Sequence, residues 1–461
     1  MYYDKYIKYK NKYNNLKRQN NNYKNLIEIS KKEILPVFVY VKDIKYKLDY
    51  IPHFREFITN LHYGQRKLFL NELQFLTKYC SLLNKKLDNY QTEYVIYAGA
   101  APNNHIYFLY QLVPNIKFIL IDPSPFNIFI KNPNINHLNT KNDDICYIRY
   151  GEKIQKELRD YQILNFYDPV TNKVVNYDKI PLNPELGSFS YYDENSEQII
   201  NFIKTSNYKI FIFQDFYTNE LSELFRGLNK SKIYFFSDIR TQLVSTADSP
   251  DDLDVLWNLS QQFNWVKILK PDAFMLKYRC PYFSDFKNKT ETEINEYVNN
   301  NFDDSFKISK KYGIDFIKNY VNRKVMYLSG EYYIQPWAPI TSTEIRVVGD
   351  NINKFSFYDC FDAEKKFTYF NNIDRTFVRH NNKYVDKEIG FDCCNDCSLE
   401  ALIWEDYIEK YPYKNNLNVI DMVKKLTIVL GKSLKRNGHG NLFDEPTKEW
   451  YDNLKKIYYK K

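Results

Sequence analysis

The sequence contains no run of about 18 apolar residues, so a membrane-spanning helix is not expected. Its first residues, MYYDKYIKYKNKY, lack the apolar stretch of a secretory leader. Cysteine is sparse and odd in number, 7 in 461 residues, and Cys80, Cys146, Cys280 and Cys360 lie far apart, which argues against a disulfide framework. Only Cys393, Cys394 and Cys397 cluster. No second Cys or His pair stands nearby at the spacing of a zinc site, so free thiols are expected there and no metal. No internal repeat is evident. From these absences an intracellular chain with no membrane partner is expected.

What is present is a globular composition, 44% hydrophobic and 26% charged. The length suits one large domain with additions, or two or three ordinary ones. Net charge is +8, a mild excess that permits a polyanionic partner without requiring one. Aromatic residues reach 18%, a bias of the whole composition, so no single Tyr or Phe carries meaning without further support. Residues 1 to about 34 are rich in Lys and Asn and read as a basic helix; a basic N-terminal extension is expected over 1–50.

From Gly64 to about Leu87 the recurrence of Phe69, Leu73, Leu76, Cys80 and Leu83 predicts an amphipathic helix. Strands and helices then alternate. EYVIYAGA (93–100), IKFILID (116–122), KIFIFQDF (209–216), KIYFFSDI (232–239), WVKILK (265–270) and AFMLKYRCPYF (273–283) read as strands. Helices are expected over 105–112, 218–228 and 251–263. Near-continuous apolar strands separated by helices indicate a parallel sheet covered on both faces, an α/β Rossmann-like fold. The rhythm breaks between about 124 and 207, too long for one crossover, and an insertion is expected there. The resulting organisation is an extension over 1–50, a Rossmann-like domain over 51–371 and a C-terminal helical addition over 372–461.

In open α/β sheets the ligand lies at the carboxyl ends of the strands, where strand order reverses. The first strand runs into Gly99, Ala100, Ala101 and Pro102, small or rigid residues that admit a ligand to the backbone. The second ends on Asp122, placed to accept from a ribose diol. The turn AGAAPNN lacks the G-x-G-x-x-G that holds a pyrophosphate. An adenosine-bearing cofactor without phosphates, S-adenosyl-L-methionine, therefore fits better than a dinucleotide. Four charged residues stand at element ends: Lys67, Asp238, Lys277 and Glu344. Singly, each reads as a cap, a gatekeeper or a surface pair; together they match a charge-compensated cluster that holds a lysine for proton transfer.

The segments GQRKLFLNELQFL, YAGAAPNNHIYFL, FILIDP, KIYFFSDIR, LKYRCPY, YIQPWAP and STEIRVV occur in one order over roughly residues 60–370. In that order they resemble the poxvirus cap-specific mRNA 2'-O-methyltransferases, which also serve as the small subunit of poly(A) polymerase. The resemblance implies a methyltransferase-type sheet and transfer of a methyl group from S-adenosyl-L-methionine to the ribose 2'-hydroxyl of the first transcribed nucleotide of capped mRNA. Lys67, Asp238, Lys277 and Glu344 would be its catalytic tetrad, with Lys277 acting on the hydroxyl. Gln65, Tyr97, Gly99, Ala101, Asn103, Asp122, Asp215, Phe216 and Asp238 would hold the cofactor. Tyr282 would stack on the N7-methylguanine and Glu364 would read its edge. A capped mRNA and a poly(A) polymerase catalytic subunit are the implied partners, in host-cell cytoplasm or virion.

Two positions depart from that pattern. Asn103 stands where the family has glycine, and Asn tolerates the left-handed conformation. Ser124 replaces an arginine expected after the ribose acid. Arg279 and Arg346 are candidates for phosphate contacts or for surface pairs. The alternatives are a non-catalytic RNA-binding subunit of a poly(A) polymerase, or a ribosomal or transfer RNA 2'-O-methyltransferase, which would have no use for Tyr282 and Glu364.

Overall fold

Side-chain alternation along the central strands sorts the chain into two cores. In β1 (Glu93–Ala98), Tyr94, Ile96 and Ala98 face one way while Val95 and Tyr97 face the other. The period of two puts successive residues on opposite faces, and every residue of β1 is buried, so both faces are covered. This is seen in a computed structural model, which describes residues 25–31 except 27, 41–49, 63–80, 92–126 except 114 and 125, 145–150, 161–168, 173–181, 189–192, 196–241 except 214, 250–282, 289–339 except 303, 342–411, 417–430 and 434.

The helices, in chain order, are α1 (Gly64–Tyr79), α2 (Ile106–Leu112), α3 (Ser196–Thr205), α4 (Asn219–Arg226), α5 (Asp252–Leu269), α6 (Glu291–Asn301), α7 (Ser305–Lys311), α8 (Phe316–Val321) and α9 (Cys360–Tyr369). A π-helical stretch (Phe370–Val378) continues α9, followed by α10 (Asn395–Lys410) and α11 (Val419–Leu430). The strands after β1 are β2 (Ile116–Ile121), β3 (Ile145–Tyr150), β4 (Tyr161–Asp168), β5 (Lys173–Pro181), β6 (Phe189–Tyr192), β7 (Ile210–Phe213), β8 (Ile233–Ser237), β9 (Ala273–Tyr278), β10 (Lys324–Leu328), β11 (Glu331–Tyr333), β12 (Ile345–Gly349) and β13 (Phe355–Asp359).

Nine of these strands form one sheet in the order β11-β12-β9-β8-β1-β2-β7-β3-β6. The pairings from β9 to β6 are all parallel, and β12 runs antiparallel between β9 and β11. Strand order reverses at β1: the chain proceeds outward on one side through β2 and returns to build β8 and β9 on the other. That reversal opens a crevice at the carboxyl ends of β1 and β8, the Rossmann-like arrangement expected from the sequence. One face packs against α3, α4, α5, α7 and α8, the other against α1, α2, α10 and α11.

The expected insertion over 124–207 contains β3 to β6. Of these, β3 and β6 lengthen the sheet while β4 and β5 pair only with each other. The expected basic helix over 1–34 lies outside the described residues except at 25, 26 and 28–31. One element differs in kind from its sequence reading. WVKILK, expected as a strand, is the last part of α5, an 18-residue helix stopped by Lys270 in the left-handed region (φ 55°). Nearly all sides of α5 are buried, so apolar residues run without a polar stripe and helical periodicity is erased. Among the described residues no helix is long and apolar enough to cross a membrane.

Candidate active site

Five charged side chains from five places in the chain meet at the carboxyl edge of the sheet. Lys67 comes from the first turn of α1, Asp238 follows β8, Lys277 lies in β9, Glu344 precedes β12 and Arg346 lies in β12. The register of β9 and β12 sets Lys277 opposite Arg346, and two cations so placed repel one another unless carboxylates intervene. Asp238 and Glu344 do so. Lys277 Nζ is 3.2 Å from Asp238 Oδ1 and 3.5 Å from Glu344 Oε2. Lys67 Nζ donates to Glu344 Oε1 at 2.6 Å, and Arg346 Nη2 donates to Asp238 Oδ1 at 2.6 Å. With all five ionised, three cations face two carboxylates, so the cluster keeps one positive charge in excess.

The environment tunes these groups unequally. Burial pushes the Lys67 ammonium below the usual lysine range, and Glu344 only partly compensates. Burial also opposes the charge of Glu344, but Lys277, Lys67 and Arg346 outweigh it and hold its carboxyl well below the usual range. For Arg346 the burial penalty is more than offset by Asp238 and Glu344, which raise it further. Gln335, buried in the segment between β11 and β12, spans the pair: with its amide turned so that nitrogen faces the carboxylate and oxygen the guanidinium, it donates to Glu344 Oε1 at 3.1 Å and accepts from Arg346 Nε at 3.0 Å. Arg346 is thus a buried member of the cluster, neither a surface pair nor a phosphate contact.

Beside this cluster lies the turn after β1. Gly99 adopts φ 73°, and a Cβ there would approach Ile239 N to 2.8 Å, so both conformation and space require glycine. The backbone N–H of Ala101 donates to Asp122 Oδ2 at 3.1 Å and that of Ser124 to Oδ1 at 2.8 Å. A carboxylate has about four acceptor sites, so capacity for a ligand hydroxyl is left beside these N–H groups. Burial raises the Asp122 carboxyl, partly offset by these N–H groups. Gln65 Oε1 accepts from Asn104 N at 3.2 Å, tying α1 to the turn. Asn103 has φ 47°, the left-handed conformation expected of it.

A single cavity of about 1090 Å³ joins these parts, lined among others by Gln65, Lys67, Gly99, Ala101, Asp122, Phe216, Asp238, Lys277, Tyr282 and Glu344. Three of the anticipated cofactor residues are not on its wall. Tyr97 and Asn103 are buried, Tyr97 with its hydroxyl pushed well up by burial and by Glu72. Asp215 is buried too and accepts from Phe216 N at 2.5 Å, leaving the exposed Phe216 ring to face the cavity.

Tyr282 also lines the cavity. Its Oη is 2.9 Å from Thr343 Oγ1, its N–H donates to Asp252 Oδ1 at 2.7 Å, and Arg279 lies over its ring at 5.0 Å. Arg279 also donates to Pro250 O at 3.0 Å. Glu364, in α9, does not line the cavity, and the Tyr282 hydroxyl is pushed up chiefly by burial, with Glu364 a lesser contributor. Burial raises the Glu364 carboxyl above the usual range.

Residues 33–179 and 189–309 match the family model of the poly A polymerase regulatory subunit. The chain belongs to this family. Lys67, Asp238, Lys277 and Tyr282 fall inside the matched residues of this regulatory-subunit family member, and Glu344, Arg346 and Glu364 lie beyond them.

Sequence reasoning missed Gln335 and the buried His105–Glu72 pair (2.7 Å) beneath the turn after β1. For Arg346 a signal existed: it stands two residues after Glu344, and the period-two alternation of STEIRVV would set the two on one face. Nothing local marks Gln335. Of the cysteine cluster, Cys394 caps α10, its sulfur accepting from Cys397 N at 3.5 Å. Asp392, Cys394 and Cys397 bring one donor atom each within 4.8 Å of one another, so the structure adds an acid to the thiols that the sequence singled out.

Proposed function

We propose that this regulatory-subunit family member transfers a methyl group from S-adenosyl-L-methionine to the ribose 2'-hydroxyl of the first transcribed nucleotide of capped mRNA. The observation that carries the reading is the placement of Lys277 between Asp238 and Glu344, on the wall of a cavity shared with the Gly99–Asp122 turn and Tyr282. The turn fits an adenosine-bearing group: its backbone borders the cavity at Gly99 and Ala101, and it has a carboxylate positioned by two N–H groups for a diol. When bound, S-adenosyl-L-methionine supplies an electrophilic methyl on a sulfonium.

The chain's own residues do the rest. A ribose hydroxyl is a poor nucleophile at neutral pH, and the Lys277 amine either accepts its proton or steadies the developing alkoxide. With Lys277 in its ammonium form the cluster's excess positive charge favours that anion, and the ion pairs fix the geometry before the substrate arrives. Asp238 and Glu344 orient the amine and hold its ammonium form once the proton has moved. In-line displacement then depends chiefly on positioning. Tyr282 offers an aromatic face to a cationic guanine, and Glu364 an acid to the guanine edge.

Family membership favours a second activity in the same chain, support of a poly(A) polymerase catalytic subunit through association with it. The test of the first reading is methyl transfer from labelled S-adenosyl-L-methionine to short RNAs with an N7-methylated cap, an unmethylated cap or none. Transfer confined to the N7-methylated cap is expected, and equal rates on uncapped RNA would remove the role of Tyr282 and Glu364. The second is tested by tail elongation with and without this chain, using its cognate catalytic subunit. Elongation independent of it would sink the regulatory role.

A further inference from the structure

Two members of the charged cluster, Lys67 and Glu344, sit on separate segments that one distant carboxylate holds together. Arg66, the neighbour of Lys67 in the first turn of α1, donates to Glu400 from Nε (2.7 Å) and Nη2 (2.6 Å). Trp337, in the segment that leads from β11 to Glu344, donates its indole N–H to the same carboxylate at 2.7 Å. Trp404 is the third residue to donate, at 3.4 Å, and Arg66 Nη1 donates to Thr427 Oγ1 of α11 at 3.1 Å. Glu400 and Arg66 are 0% and 1% exposed, so the charges are neutralised only by each other and by these hydrogen bonds.

The linkage runs through backbone as well. Tyr63 N donates to Trp337 O (3.1 Å), and Lys67 N donates to Tyr63 O (2.8 Å). Trp337 adopts φ 61°, a conformation that is costly for a bulky residue and persists only where surrounding structure enforces it. Glu400, Arg66 and Tyr63 supply that enforcement, Arg66 lying 5.7 Å over the indole ring and Tyr63 packing edge-on to it. Two residues before Trp337 is Gln335, which bridges Glu344 and Arg346.

We propose that Glu400, in α10 and outside the family-matched residues, is a positioning residue of the active site: it sets the Lys67–Glu344 pair by clamping Arg66 and Trp337 together. The claim rests on the reading of the site as a methyl-transfer centre. Glu400 does not line the cavity, so its effect reaches the Lys67–Glu344 pair through the segments of Arg66 and Trp337.

The test uses the full chain with Glu400→Gln, which keeps size and polarity but removes the charge. Since misplacement by about 1 Å can cost roughly a hundredfold, kcat for methyl transfer is expected to fall by about tenfold or more. Affinity for S-adenosyl-L-methionine is expected to stay within about twofold, because the Gly99–Asp122 turn is not part of the clamp. A second readout is NMR titration of Lys67 in protein labelled at the lysine side chains, assigned with Lys67→Arg. If the first turn of α1 loosens, Lys67 gains solvent and titrates closer to an ordinary lysine than in wild type. Should Glu400→Gln not fold, the double variant Arg66→Met/Glu400→Leu removes both charges together, and Trp337→Phe removes the indole donor alone. A folded variant of either kind with wild-type kcat and wild-type Lys67 titration overturns the proposal. Absence of methyl transfer by the wild-type chain would overturn the reading of the site instead, and the Lys67 titration would still decide the clamp.

Discussion

Lys277 owes its setting to strand register. Its position opposite Arg346 would be repulsive in isolation, so the two carboxylates between them are as necessary to the fold there as to any chemistry. Lys277→Ala is therefore expected to abolish methyl transfer while leaving S-adenosyl-L-methionine affinity within about threefold, as isothermal titration would show. Full activity in that variant would remove Lys277 from the mechanism. Glu344 gives a pH prediction. A carboxyl whose folded pKa is depressed stabilises the fold above its unfolded value, and that stability is lost as pH falls through the lower folded value. Glu344→Gln should accordingly cost about 2–4 kcal/mol at pH 7, with the deficit shrinking in denaturant titrations below the ordinary carboxylate range. Gly99→Ala, forced into positive φ against Ile239 N, should cost about 1–3 kcal/mol and weaken cofactor binding. Tyr97 shows where residue-level reading ends: strand alternation tells that a tyrosine is near the turn, but which face it takes depends on what packs there, and Glu72 of α1 takes its hydroxyl inward.

At the scale of elements, alternation and small-residue turns made the parallel strands and the strand-end acids legible, because those signals are local. The reading failed in α5, whose burial on nearly every side hides its period. The antiparallel strand β12 and its register against β9 are contacts between segments far apart in sequence, with no local mark. The same holds for α10. The sequence reads it as part of an addition, yet its Cys397, Ile403, Trp404 and Tyr407 share a core with α1, α2 and one face of the central sheet. Trp404 is fully buried against Phe69 and Phe108, and Tyr407 Oη donates to Leu112 O at 2.8 Å. Trp404→Ala is expected to lower unfolding free energy by about 3–5 kcal/mol, measurable by urea titration.

For the molecule as a whole, the sheet serves two different masses of helix. The face carrying α3, α4, α5, α7 and α8 is built from segments that follow one another closely in the chain, whereas the opposite face combines α1 and α2 with α10 and α11. Removing residues 395–461 should therefore not trim the protein to a working domain. Loss of a cooperative thermal transition is the expected outcome, and a soluble, cooperatively unfolding fragment would show the central sheet to be self-sufficient. The ion pair between Arg66 and Glu400 closes a span of 334 residues. At synthesis rates of about 5–20 residues per second, roughly 17–67 s separate the appearance of its two halves on the ribosome. Through that interval Arg66 is a cation without its carboxylate, and the apolar face of α1 is without α10. The nascent chain thus carries an exposed face through most of its own translation, and its yield in cells should respond to whatever shields that face until residue 400 emerges.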